Sequence, residues 1–292
     1  MSEDGFRIRR LCLIGVGLIG GSLSLALKQA GVVGHVVGHA RNEDSLRKGI
    51  GRGLLDSYAL DPADAVRGCD LVVVATPLGA IRPVFAAIAP YLPDGCVITD
   101  VGSAKATVVS DARAELGAHF PRFVAGHPIA GTENSGVEAG FAELFRERKV
   151  ILTPVAETDA SAVARVSAMW RAAGAEVERM SVAHHDRVLA ATSHLPHMLA
   201  FALVSHLSKM SDQDEIFEYA AGGFRDFTRI ASSDPVMWRD VCLANGEALL
   251  ELIEGFQNEL QEVAEAIRQR DADALFEHFR SAKQTRDQLK HL

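Results

Sequence analysis

His127 sits in AGHPIAGTENSG, residues 125–136, with Gly126 before it and Pro128 directly after. An imidazole titrates near neutrality and is the commonest general acid or base, so a histidine held between a permissive and a rigid residue is a candidate for proton transfer. A second polar cluster, DVGSAK over 100–105, offers Ser103 and Lys105. Both clusters follow apolar, β-rich runs, CVIT and RFV, so both are expected at the same carboxyl edge of a sheet. There the Ser103 hydroxyl could set the orientation of the His127 ring. A histidine without such company is more often structural than catalytic.

A third cluster shows what the histidine could work beside. GVGLIGG, 15–21, contains GxGxxG at Gly15, Gly17 and Gly20, after the strand-like run 11–16 and ahead of a helical pattern over 18–29. In that context the pattern predicts a dinucleotide loop: Gly15 for the tight turn, Gly17 for approach to a pyrophosphate, Gly20 for close helix–strand packing. The helix N-terminus at Leu18 and Ile19 would present backbone N–H groups to the phosphates. At the end of the second strand an NAD enzyme carries Asp or Glu. This chain reads VVGHARN, with Ala40 in that position between His39 and Arg41. His39 and Arg41 could meet a 2′-phosphate, which tips the expectation toward NADP; alternatively Arg41 is a solvated residue and either cofactor is accepted. Thr76 and Pro77 close the fourth strand-like run at the same edge, where Thr76 could face the cofactor or simply form the turn before proline.

The elements that must hold these clusters can be read from the patterning. RLCLIGV, HVVGHA, DLVVVAT, CVITDVG, RFVAGH, VILTPV and AEVERM have strand length and β-branched content, and helical spacings lie between several of them. This alternation predicts a doubly wound α/β fold with a mostly parallel sheet over 6–180, continued by an all-helical domain over 181–292. In the second part Leu249, Leu252, Ile253, Phe256, Leu260, Val263 and Ile267 recur at threes and fours. Asp271 reads as the N-cap of a last helix bearing Leu275, Phe276 and Phe279. A long apolar face is either intramolecular core or a homodimer interface. The 292 residues carry a net charge of −8, which argues against nucleic acid or an anionic membrane as main partner while leaving a small anionic substrate open. Four scattered cysteines without metal-ligand spacing read as reduced core residues of a cytoplasmic protein. The run 188–207 is apolar enough for a membrane span, but His194, Pro196, His197 and Ser205 favour a buried helix of a soluble protein.

GVGLIGGS, DVGSAK, GHPIAGTENSG, TSHLPH and GGFRDFTRIASSDPVMW, in this order, closely resemble the prephenate/arogenate dehydrogenase family of tyrosine biosynthesis. The resemblance runs from about residue 7 to 280 and implies a Rossmann-type domain followed by a helical dimerisation domain. It implies that His127, in GHPxxG, is the catalytic histidine and that Ser103, in DxxSxK, supports it. It implies that Arg229, in FTRIA, grips a substrate carboxylate, and that His185 and His197 line the substrate cavity together with Thr132, Glu133 and Trp238. The reaction would be oxidative decarboxylation of prephenate, arogenate or both, with NAD or NADP as hydride acceptor. Glu133 or Asp226 could respond to the ammonium that distinguishes arogenate from prephenate. Spacing alone leaves Arg225 and Arg229 equivalent as partners of Asp226; the resemblance selects Arg229. His194 and His197, one turn apart, could form a metal pair, but no third ligand is evident, so no metal is expected. Other readings are a β-hydroxyacid dehydrogenase or imine reductase, which would leave GHPIAGTE unexplained, and an inactive cofactor sensor, which would not keep Ser103, His127 and Arg229 together.

Overall fold

The computed structural model describes residues 5–132 and 134–289. They fall into two compact units, one running to Gly246 and the other starting at Glu247. Six short strands form one sheet: β1 (Leu11–Ile14), β2 (Val36–His39), β3 (Ser57–Tyr58), β4 (Leu71–Val74), β5 (Val97–Asp100) and β6 (Phe123–Val124). All pair in parallel, in the order β3-β2-β1-β4-β5-β6. The order reverses between β1 and β4, and ligands of such sheets bind outside the carboxyl ends of the strands at that point.

Successive strand residues face opposite sides, so a sheet covered on both faces needs apolar residues at every position. Leu11, Leu13 and Val73 accordingly share one core with Leu23 and Leu27 of α1 (Leu18–Gln29). Cys12, Ile14, Val72 and Val74 share the other with Phe85 of α4 (Ile81–Ile88) and Val108 of α5 (Ala106–Glu115). Helices α2 (Glu43–Gly51) and α3 (Pro62–Val66) complete this half of the chain, with Asn42 and Asp61 accepting at their N-termini from Asp44 and Ala63 N–H. Cys12, Cys69 and Cys96 are buried free thiols, and Cys242 is half-buried.

The run RFVAGH is not one strand. β6 ends at Val124, and Gly126–Pro128 forms β7, which pairs antiparallel with β8 (Lys149–Leu152); β9 (Glu176–Arg179) lies parallel to β8. Two side chains at the end of β5 cause the break. Thr99 Oγ1 donates to the Val124 carbonyl at 2.7 Å and Asp100 Oδ1 accepts from Gly126 N–H at 3.1 Å, in place of ladder bonds. His127 therefore lies inside a second sheet, opposite Ile151, rather than at the end of a strand of the first. α6 (Ala160–Ala172) packs behind, its buried Trp170 edge-on to Phe145 at 5.1 Å.

After β9 the chain is helical: α7 (Val182–Leu189), a π-helical turn at Ala190–His194, α8 (Leu195–Leu207), α9 (Gln213–Glu218), α10 (Gly222–Thr228) and α11 (Pro235–Ala244). Ser181 and Asp234 side chains accept from the first-turn N–H groups of α7 and α11. The sequence favours a buried helix over 188–207, but only Ala200 of α8 is buried in the single chain. The stretch Val182–Leu207 is long and apolar enough to cross a membrane, by length and composition only. α12 (Gly246–Gln269) and α13 (Ala272–Gln288) follow, α13 capped by Asp271 accepting from Ala274 N–H at 3.0 Å. On them Leu250, Leu260, Ile267, Phe276 and Phe279 are exposed.

Gly15 turns the chain from β1 toward α1 at φ +96°, and a Cβ there would lie 2.4 Å from the Ala75 carbonyl oxygen. Gly20 lets α1 sit against that turn, since its Cβ would be 2.4 Å from the Gly15 carbonyl oxygen. Both contacts are with backbone, which cannot yield as a side-chain end can. Gly15→Ala should therefore cost more than about 2 kcal/mol of stability. Urea denaturation checks this, and an unchanged midpoint would refute the reading.

Candidate active site

The site is built where β5 hands over to α5. Lys105 and Asp100 are both fully buried and form an ion pair. Lys105 Nζ also donates to the Gly126 carbonyl at 2.8 Å, while Asp100 accepts from Gly126 N–H and from Gly102 N–H at 2.7 Å. Both polar backbone groups of the residue before His127 are thus fixed by one ion pair. Burial lowers the Lys105 pKa, opposed by Asp100 and Asp186.

His127 points into a chain of hydrogen bonds with a determinable direction. The Asp186 carboxylate is an acceptor and lies 2.7 Å from His185 Nδ1, so His185 carries its proton on Nδ1. In its uncharged form His185 has its lone pair on Nε2, which lies 3.0 Å from His127 Nδ1. His127 must donate from Nδ1, and its lone pair is on Nε2, the nitrogen with no partner among the described residues. Burial first, then the neighbouring His185, Lys105 and His194, push the His127 pKa well below the ordinary imidazole value. The ring is a neutral base at neutral pH.

Asp186 accepts two further bonds, from Lys105 N–H and Ala106 N–H, both at 2.8 Å, and so caps the start of α5. Burial works to raise its pKa, but His185 and these two backbone groups outweigh it and hold the carboxyl below its usual range. A group from α7 thereby ties the second part of the chain to the first and orients the histidine pair. His185 is fully buried, so it supports His127 rather than lining a cavity. Ser103 is half-buried and makes no side-chain hydrogen bond among the described residues; His185 occupies the orienting position expected of it.

A second group gathers around Trp238 on α11. His197 stacks on the indole at 3.8 Å between centroids, and His194 meets it edge-on at 6.1 Å. His197 Nδ1 lies 2.8 Å from the Ser193 carbonyl, so Nδ1 carries the proton. Burial lowers the His197 pKa, Ser193 opposes this, and the nearby Arg229 charge lowers it further. His197 of α8 and Trp238 of α11 are thus in contact, and the charge of Arg229, in the 3₁₀ turn Arg229–Ser232, is felt at His197. Asp226 is exposed on α10 and Thr132 is exposed on the loop after β7, its Oγ1 accepting from Asn134 N–H at 3.2 Å. Neither is brought to the histidines by a hydrogen bond, and Glu133 lies outside the described residues.

The residues at the β1–β4 edge suit a dinucleotide. Nothing lies within 4 Å of a Cβ built on Gly17, so this is open space against bare backbone at the start of α1, where Gly17 provides no side-chain cap. Leu18 and Ile19 follow in the first turn, half-buried. Thr76 Oγ1 is buried without a partner at the end of β4, beside the exposed Pro77, as expected of a group that meets a ligand. At the end of β2, His39 Nδ1 is engaged with the Ala59 carbonyl at 3.1 Å, Ala40 is half-buried and Arg41 is exposed.

Asp186, Asn245 and His194 were not among the residues the sequence singled out for the site. Asp186 had a usable signal, since it follows His185 directly and an acid beside a histidine commonly orients it. Asn245 had none, because its partners are 51 and 59 residues away.

Sheet order, glycine turn and helical continuation define the chain as an α/β dinucleotide-binding protein extended by helices. Residues 23–179 match the family profile described as prephenate dehydrogenase, nucleotide-binding domain, and 181–281 match prephenate dehydrogenase, dimerization domain. The cyclohexadienyl dehydrogenase of Zymomonas mobilis is 40% identical over 97% of this chain and 96% of its own length. The Bacillus subtilis prephenate dehydrogenase is 36% identical over 96% of this chain and 76% of its own length. The crystal structure of the Aquifex aeolicus prephenate dehydrogenase with hydroxyphenyl propionate and NAD+ superimposes with a TM-score of 0.91 at 37% identity, covering 98% of this chain and 100% of that one. The chain belongs to the prephenate/cyclohexadienyl dehydrogenase family of tyrosine biosynthesis.

Proposed function

We propose that the chain oxidises and decarboxylates prephenate, arogenate or both, with His127 Nε2 as the base. The observation that carries this reading is the directional chain Asp186–His185–His127, which leaves the His127 lone pair on the outward nitrogen. Oxidation of the ring alcohol requires loss of a hydride and of the hydroxyl proton; a bound nicotinamide supplies the hydride acceptor. His127 Nε2 accepts the proton, the ring loses carbon dioxide, and aromaticity makes the step irreversible. Ser103, at the mouth of the same turn, is available to the substrate hydroxyl rather than to the His127 ring. The charge of Arg229 is felt at His197, which stacks on Trp238, and a guanidinium can hold a carboxylate through two parallel hydrogen bonds that a lysine cannot reproduce. Thr132, Glu133 next to it in the sequence, and Asp226 are candidates for reading the side chain that differs between the two substrates.

Gly15, Gly17, Gly20, Leu18, Ile19, Thr76 and Pro77 would hold the dinucleotide, with His39, Ala40 and Arg41 at its adenosine end. NAD+ in the Aquifex relative supports NAD use, while Ala40 in place of an acid leaves NADP admissible. A functional boundary near residue 180 follows the last strand. The acting form is a homodimer in the cytoplasm: the match to a dimerisation domain and the exposed apolar residues of α12 and α13 support a second copy as their cover. A bilayer is not the reading for 182–207, because His185, Asp186 and His194 within it are hydrogen-bonded into the site.

The test is a four-way assay of reduced-cofactor absorbance, prephenate or arogenate against NAD+ or NADP+. At least one combination should turn over, and silence in all four would overturn the proposal. In that assay Arg229→Ala should raise KM roughly 10- to 150-fold, the value of about 1.5–3 kcal/mol for a hydrogen bond to a charged group, with a smaller effect on kcat. An unchanged KM would remove Arg229 from substrate binding.

A further inference from the structure

His194 has no part in the proton chain from Asp186 to His127, yet its protonation pattern is fixed by its neighbours. Asn245 Nδ2 lies 2.8 Å from the Asp186 backbone carbonyl and 3.1 Å from His194 Nδ1. A carbonyl only accepts, so the atom facing it must be the amide nitrogen, and this settles the orientation of the Asn245 side chain. The same nitrogen's second hydrogen then points at His194 Nδ1, which must accept it. His194 therefore carries its proton on Nε2. That N–H is buried and has no partner, and so is the indole N–H of Trp238, whose ring it meets edge-on. A buried donor left unpaired costs about 1–3 kcal/mol, so two adjacent ones call for an acceptor. Trp170 Nε1 is also unpaired, but it sits in the apolar core, its ring edge-on to Phe145. The His194 and Trp238 pair instead lies beside His197, which stacks on the same indole, and the charge of His194 is felt at His127.

We infer that His194 Nε2–H is a neutral hydrogen-bond donor to an oxygen of the bound substrate, with Trp238 Nε1–H beside it, and that Asn245 is the positioning residue that sets this tautomer. The inference rests on the proposed function, because the acceptor is an oxygen of the cyclohexadiene substrate. Burial also lowers the His194 pKa to about 4, so the ring stays neutral where the enzyme would work. A neutral donor suits an oxygen that changes character during the reaction: it orients the substrate without the charge that would compete with Arg229 for a carboxylate or repel a protonated His127.

Nitrogen-15 NMR of the full-length protein with NAD+ provides the test, using hydroxyphenyl propionate as the probe. Without the probe, His194 should show a protonated Nε2 and an unprotonated Nδ1. On adding it, the Nε2–H proton should shift downfield by more than 1 ppm. In steady-state assays His194→Leu should lower kcat/KM about 10- to 100-fold at unchanged NAD+ affinity, and His194→Gln, which keeps an N–H near the Nε2 position, should recover most of the loss. If the probe binds and the His194 signals do not move, the donor serves a water or the fold, and the inference is wrong. A His194 protonated on Nδ1 would also overturn it. If the probe and both substrates fail to bind at all, the proposed function fails and the inference falls with it.

Discussion

His127→Asn should lower kcat by about 10²- to 10⁴-fold while leaving substrate and cofactor affinity near the parent's. Asparagine places its amide nitrogen close to the position of His127 Nδ1, so it can still donate to His185 Nε2, and the buried chain to Asp186 stays satisfied. Only the outward nitrogen is lost. The expected loss, about 2.7–5.5 kcal/mol of activation free energy, is therefore that of the base and not of the fold. The pH profile gives a second readout. A base works when deprotonated, and burial holds the His127 pKa well below 6.5. As pH falls, kcat/KM should stay level through 6.5 and decline only further down; that acid limb should be missing from the variant. Retention of most of the turnover by His127→Asn would show that another group takes the proton.

The parts of this molecule legible in its sequence are those set by local rules. GxGxxG between a strand and a helix reports a backbone demand at Gly15 and Gly20, where a side chain would clash with the Ala75 and Gly15 carbonyl oxygens. Continuous apolar runs and period-three-to-four patterns separate the sheet from the helices because burial acts on each residue in place. His127 was legible as a rigidly held histidine, and the family motifs pointed to Arg229 and His197. What the sequence hides is long-range hydrogen bonding. RFVAGH reads as one strand because nothing within it announces that Thr99 and Asp100, more than 20 residues earlier, take over its ladder bonds. The serine of DVGSAK looks like the natural orienting group for His127 because it is small, polar and at the right edge. The helix after β9 instead brings His185 to that position, 58 residues along the chain from His127. Such partners are chosen by topology, and a single sequence carries no local trace of them.

The same topology makes Asp186 the residue whose loss should be felt twice. Asp186→Ala strips an acceptor from His185 Nδ1, Lys105 N–H and Ala106 N–H at once, the first two of them buried. The last two are orphan donors at the start of α5, where losing a cap costs about 0.5–2 kcal/mol, and stability should fall by about that much. The catalytic effect is separate and comes through the tautomers. Without Asp186, His185 is free to carry its proton on Nε2, His127 Nδ1 must then accept, and the His127 lone pair leaves the outward nitrogen. A fall in kcat of about 10²- to 10⁴-fold follows for enzyme that is still folded, the loss expected when a general base is no longer in its working tautomer. Asp186→Asn separates the two consequences. Its oxygen should take the Oδ1 position, where both Lys105 N–H and His185 Nδ1–H need an acceptor, because the reverse orientation would set an amide N–H₂ against two donors. The His127 tautomer is then kept, while Ala106 N–H faces an amide nitrogen and the cap is half lost. The asparagine variant should therefore resemble the alanine variant in lowered stability but keep much more of its turnover. Denaturation midpoints and kcat, both measured where circular dichroism shows each variant folded, decide the matter. Equal turnover in parent and alanine variant would mean that the carboxylate holds the fold but not the direction of the proton chain.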